Sequence, residues 1–440
     1  MAARRRRLGP VLSDPHGPLV QAALRILCAT PAPHGAERPA AEAFARRARA
    51  SVPGVRWEVA GVGAHGANVV GTVDGTPGEN RPALLLVSHL DTSLSGLPDQ
   101  DEQVTGRGDD PGGLRADGGH LSGFGLGVAR GPAAAAVAGL AAAADRLAGR
   151  PHRPVHLLLA GSGTHRSALA SPVPFGAVRP SSSAGALAHL ATYPRPEAVL
   201  VAKCGPPAVL RAEPGACYLR LRVGGRWGAA LAPGSADPPG GVLWGAGAVL
   251  AAVEGWRAGY VAARRDRADG LGGEVGLGAL FGGRPDKPDL LPAGLELRLY
   301  VVTVPGDDPH ELAAGLAAAV RDGLRGTAFA GCPVEAAAEP LHSAAATAAD
   351  APVVRAAHAA WRRVRPVPPA EIRDWTGSTD GVVFRAAGID TVRVGPTSSA
   401  DPDDPRRDRL AVADLTAFAE LYADVAVARA SGANGAFACT

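Results

Sequence analysis

Apolar runs closed by glycine or proline alternate along this chain with long alanine-rich stretches of helical character, and this alternation narrows the possible folds more than any other feature. The run 83–91 (ALLLVSHLD) reads as a buried strand leading into a loop. Residues 132–149 read as a helix opened by Pro132, whose fixed φ suits a first turn, and closed near Gly149. Further buried strands are expected at 155–163 (VHLLLAGSG) and 196–205 (PEAVLVAKCG). Strand, helix and strand in succession imply parallel pairing through right-handed crossovers. Ligands of such sheets sit in loops at the C-terminal strand ends. The fold class is therefore α/β, with a mixed, mostly parallel sheet flanked by helices.

From about Glu213 the pattern changes. Residues 217–225 (CYLRLRVGG) alternate as a half-buried antiparallel strand does, a helix is expected over 245–264, a strand over 295–305 and a helix over 310–324. A βαββαβ-like order of this kind predicts a small inserted α+β domain, 213–335, within a discontinuous α/β domain formed by 1–212 and 336–440. Helices at 351–364 and 413–430 and a strand at 388–396 complete the larger unit. The polar segments 93–119 and 171–185 read as long loops able to form lids.

Composition limits the partners. Among 440 residues the formal net charge is only +3, which argues against nucleic acid or a membrane surface as a partner. Arg4 to Arg7 form a local basic run without the apolar core of an export signal. The five cysteines show no CxxC spacing, consistent with a reducing, cytoplasmic setting. Alanine, glycine, arginine and proline dominate, the imprint of a GC-rich genome, and only two lysines occur, Lys203 and Lys287.

Six spaced landmarks resemble the zinc amidohydrolase and peptidase family of acetylornithine deacetylase, succinyl-diaminopimelate desuccinylase, aminoacylase and the carboxypeptidase-G-type enzymes. They are VSHLDT (87–92), GFGLGVARGPAAA (123–135), VHLLLAGSGTHRS (155–167), GGRWGAALAP (224–233), LLPAGLELRLYVVTVP (290–305) and TGSTDGVVFRAAGIDTVRVGP (376–396). The resemblance covers about residues 20 to 430. It implies a zinc aminopeptidase-like fold whose inserted domain serves as lid and dimerisation element. It also implies a two-metal site that polarises an amide carbonyl beside a glutamate base.

Position by position, that site looks degenerate in the sequence. His89 matches a histidine ligand, and Asp91 the acid that orients it. Val128 stands at the bridging carboxylate, Gly163 at the base glutamate, Thr164 at a ligand glutamate and Lys203 at a further carboxylate ligand. The last histidine ligand falls near Asp401, the transition-state histidine at Ala229, and the strand Asp-x-Arg at Tyr300 and Val302. Segments 121–135 and 155–170 contain no Asp or Glu, whatever the registration. The resemblance therefore implies no cofactor, with zinc unlikely, and a site reduced to the vestigial or pocket-lining residues His89, Asp91, Thr164, His165, Lys203, Asp380 and Asp401. Lys203 could replace metal charge by pairing with Asp91, Asp380 or Asp401, or could simply snorkel at a strand end. Cys204 reads as a buried inert thiol, and 118–127 lacks the context of a phosphate loop.

Three functional classes follow. One is a repurposed, metal-independent enzyme acting on an amino-acid or acylamino-acid derivative in specialised metabolism. Another is a non-catalytic relative that binds such a ligand or partners an active homologue. The third is an ordinary zinc hydrolase with a relocated site. Expected partners are a small amino-acid-type molecule and a second copy of the chain, through the inserted domain.

Overall fold

The structure is a computed structural model describing residues 16–92, 101–103, 106, 113–167 and 183–432. The expected lid loops at 93–119 and 171–185 lie largely outside these residues.

Continuous apolar runs give strands buried on both faces. β3 (Leu84–His89), β4 (Val155–Ala160) and β5 (Ala198–Ala202) are buried at every position. They pair in parallel in the order β4-β3-β5, and β10 (Asp390–Val394) adds a fourth parallel strand beside β5. The antiparallel hairpin of β1 (Arg56–Val62) and β2 (Gly66–Val73), which the sequence reading did not assign, extends the sheet through β2 against β4. The result is a mixed six-stranded sheet, β1-β2-β4-β3-β5-β10.

Side chains alternate between two helical layers. Leu84 and Leu86 enter a core shared with α1 (Gly17–Cys28), α2 (Arg38–Ser51), α3 (Gly131–Leu147), α7 (Pro352–Val364) and α9 (Val412–Ala430). Leu85 and Val87 enter the opposite core with Ala186 of α4 (Ala184–Thr192) and Phe384 of α8 (Gly381–Ala386). Each fully buried leucine contributes about 1.5–3 kcal/mol through removal of apolar surface from water. α3 is preceded by a π-helical turn, Leu126–Arg130. Its buried face is mostly alanine, and a Cβ on Gly139 would lie 2.8 Å from both the Ala419 carbonyl oxygen and Tyr422 Cβ. α3 and α9 therefore meet backbone against backbone. The run Leu126–Leu147 is, among the described residues, the one helix long and apolar enough to cross a bilayer, but its composition serves this interior contact.

The second sheet is antiparallel, built of β6 (Gly215–Gly224), β7 (Glu274–Gly282), β8 (Gly294–Thr303) and β9 (Val334–His342) in the order β7-β8-β6-β9. With α5 (Ala246–Ala262) and α6 (Pro309–Gly323) it realises the expected βαββαβ order around its own core, which includes Leu219, Leu297 and Leu316. Asp308 caps α6, its side chain accepting from the His310 N–H at 2.7 Å.

Candidate functional site

The C-terminal ends of β3, β4 and β5 deliver His89, the 161–165 loop and Lys203 to one cleft facing the second sheet. His89 stands between two carboxylates. Its Nδ1 lies 3.4 Å from Asp91 Oδ1, and its Nε2 lies 3.7 Å from Asp380 Oδ2. Asp91, fully buried, accepts from the backbone N–H groups of Gly163 (3.2 Å) and Thr164 (3.1 Å) and from the Thr164 hydroxyl (2.8 Å). Burial alone would raise its pKa, but hydrogen bonds and charge from His34 and His89 overcome this and hold it well below the usual carboxylate range. Thr164 contributes a neutral donor at this point; its hydroxyl also lies 2.8 Å from His34 Nδ1.

Gly163 is fixed by the same packing. A Cβ there would lie 2.1 Å from His89 Nδ1, so the imidazole occupies the space into which any side chain at 163 would grow. Val128 sits half-buried on the π-helical turn that opens α3. Ala229 lies on a two-residue strand that pairs with Leu290–Leu291 in a small sheet of its own.

Lys203 and Asp380 perturb each other from the cleft floor. Burial lowers the Lys203 pKa, with Arg393 adding to the effect, while Asp380, Asp91 and Glu213 oppose it. Burial raises the Asp380 pKa, against the pull of His89, Ser183 and Lys203. Asp401 stands elsewhere, in a turn beside the strand pair Ser399–Ala400 and Asp408–Ala411, where the Asp403 N–H and the Ser122 hydroxyl hold its pKa low. The carboxylates whose charge reaches Lys203 are thus Asp380, Asp91 and Glu213. Cys204 is buried and its thiol is pushed up to about 12, which keeps it protonated.

His165 belongs to a cluster of rings where the two sheets approach. Its ring lies 5.1 Å from that of His342 on β9 and 6.4 Å from Tyr300 on β8, and its carbonyl accepts from the Tyr218 hydroxyl. Burial, with His342 and Lys203 nearby, drives its pKa to about 3.

Beneath the cleft, Glu213 Oε1 accepts from the Thr379 hydroxyl at 2.7 Å, and Glu213 Oε2 is ion-paired with Arg385. Arg393 donates to the Cys204 carbonyl at 2.6 Å and lies 4.9 Å from the centre of the Trp375 ring. These buried pairs fix the TGSTD segment (376–380) from below.

Two residues absent from the sequence reading join the site. His34 and Glu37, from the turn before α2, gather with Asp91 so that one ligand atom of each lies within 4.8 Å of the others, all three buried. Glu37 Oε1 accepts from the Gly35 and Ser162 N–H groups, whereas Glu37 Oε2 and His34 Nε2 are buried without a partner. Burial, then Asp91, raises the Glu37 pKa. Orphaned donor atoms beside two buried carboxylates are a fit for a divalent cation. His34, Glu37 and Asp91 would hold such an ion, and its positive charge would offset the two buried carboxylates.

No protein-family model matches the chain, and no curated protein does. Solved structures do. An M20 family metallo-carboxypeptidase from Sulfolobus solfataricus is 13% identical over 93% of this chain and 98% of its own, with a TM-score of 0.65. A dipeptidase from Saccharomyces cerevisiae is 13% identical over 94% and 96%, also at 0.65. A dinuclear metal binding M20 peptidase from Bacillus subtilis is 15% identical over 94% and 98%, at 0.56. The fold is that of the M20 metallopeptidases and amidohydrolases. The expectation of no cofactor is therefore corrected. A neighbour of the same fold is a dinuclear metal binder, and this chain gathers a metal-capable group that no sequence motif announced, because Asp91 lies 54 and 57 residues along the chain from Glu37 and His34.

Proposed function

We propose that the chain is a hydrolase of amide bonds in a small amino-acid-type substrate, bound in the cleft between the two sheets. The observation that carries this reading is the convergence of His89 and Lys203, at the ends of parallel strands, with Asp380, at the start of α8. A carboxyl shifted up and an amine shifted down stand together there, the directions of shift that acid–base groups show at active sites. The metal-capable group at His34, Glu37 and Asp91 favours the relocated-site form of this reading over the metal-independent one. A panel of dipeptides and N-acyl amino acids, assayed by mass spectrometry for released amine with and without added zinc or manganese, tests it. Turnover lost in Asp380→Asn is expected; no product from any substrate under either condition would sink the hydrolase reading.

A second reading is a ligand-binding relative without turnover. It is favoured by the His89 ring filling the space beside Gly163, which leaves no room for a side-chain base at that position. Thermal-shift screening with free and acylated amino acids separates the two: stabilisation without product supports this one. We also propose that the protein pairs with a second copy through the second sheet and its helices.

A further inference from the structure

The ring cluster between the sheets contains one hydroxyl in register with an imidazole. Ser378 Oγ of the TGSTD segment lies 3.4 Å from His342 Nε2. The two residues come from different layers, 36 positions apart, and both are half-buried in the cleft. Each is held by a specific local device. The β9–β6 pairing shifts register between Pro340 and His342, a bulge that re-aims the side chain at the strand end. Ser378 is flanked by Gly377, where a Cβ would lie 2.4 Å from the Trp375 ring, and by Thr379, anchored to Glu213. The Thr379 hydroxyl also accepts from the Gly381 N–H at 3.0 Å, closing the turn into α8. Burial lowers the His342 pKa, though Glu213 and the Ser343 backbone oppose it.

We propose that Ser378 and His342 form a nucleophile–base pair for acyl transfer from a carboxylic ester or amide. This rests on the reading of the cleft as an amide-hydrolysing site and gives that site a covalent route. The Ser378 hydroxyl proton passes to His342 Nε2 as the Oγ–carbon bond forms on the substrate carbonyl. His342 returns the proton to the leaving amine as the carbon–nitrogen bond breaks, leaving an ester on Ser378. Water, deprotonated by the same nitrogen, then releases the carboxylic acid and restores the hydroxyl. A hydroxyl–imidazole separation of this size is usual before substrate binds, because such contacts tighten in the Michaelis complex.

A fluorophosphonate probe on the full-length protein tests the pair, followed by peptide mass spectrometry. The expected result is an adduct on Ser378, absent in Ser378→Ala and formed at least tenfold more slowly in His342→Gln, with melting temperatures near that of the unaltered chain. If His342→Gln unfolds the protein, Ser378→Cys takes its place. Its alkylation by iodoacetamide should outpace that of a solvent-exposed reference thiol and fall with protonation of His342 as pH drops. An adduct elsewhere, or none between pH 6 and 9, overturns the pair. The two readings fail separately. Amide turnover that persists in Ser378→Ala removes the pair and keeps the hydrolase, whereas an adduct on Ser378 without amide turnover keeps the pair and removes the amide substrate.

Discussion

At the scale of single residues, the site is a set of mutual accommodations. Gly163 and His89 illustrate it, since a methyl group at 163 meets the imidazole at 2.1 Å. Gly163→Ala should cost about 1–3 kcal/mol, the usual penalty for overpacking, measured by urea denaturation. His89→Ala in the same chain should recover part of that loss; equal costs for the single and double variants would show that the ring is not the obstacle. His34 and Glu37 give a second test. Purified protein analysed for bound metal should carry zinc or another divalent ion, and Glu37→Gln should reduce the content several-fold. Equal metal in both forms would place any ion elsewhere. His89 and Asp91 were legible in the sequence because they stand two apart at the end of an apolar strand. Ser378 and His342 were not, because a strand of one sheet and a turn beside the other bring them together.

At the scale of elements, the α4-covered face of the large sheet carries its own pH dependence. His156 on β4 and His189 on α4 pack edge to face, and His189 stacks on Tyr193 at 4.6 Å. Burial pushes His156 to about 4 and His189 to about 3. Both pKa values fall on folding, so below about 6.5 the unfolded chain binds more protons than the folded one. Each histidine then removes up to about 1.4 kcal/mol of stability per pH unit until its folded pKa is reached. Above pH 6.5 neither matters. Urea midpoints at pH 7 and pH 5 should therefore separate clearly, and His189→Phe should narrow the gap; an unchanged gap would assign the acid sensitivity to other groups. The strands were legible where burial on both faces made them continuously apolar, as at 83–91. The β1–β2 hairpin escaped because Glu58, Gly61 and Asn68 interrupt any simple period.

For the molecule as a whole, most of the exposed large apolar side chains among the described residues lie on the second sheet or in the segments joining its strands. Trp227 is 64% exposed, Trp244 82% and Leu231 98%. β7 forms an open edge carrying the exposed Leu277 and Leu280. Such an edge invites another strand or another copy. Light scattering behind size exclusion should give twice the 44.3 kDa chain mass, and Leu277→Lys with Leu280→Lys should return the monomer. A wild-type monomer at micromolar concentration would leave this face without a self-partner. The two-layer plan was legible from the switch in periodicity near residue 213, whereas this surface was not, since exposure is a property of the assembled chain.

The backbone-to-backbone meeting of α3 and α9 has a consequence of another kind. Every codon for alanine is one base from valine, threonine, serine, proline, glycine and an acidic residue. All of these except glycine are larger than alanine, and glycine loosens the helix. Along the buried face of α3, then, most missense changes are harmful in the same direction, by adding volume where none is free. A base composition that made the helix cheap to encode also leaves its lineage little neutral space in which that helix can drift.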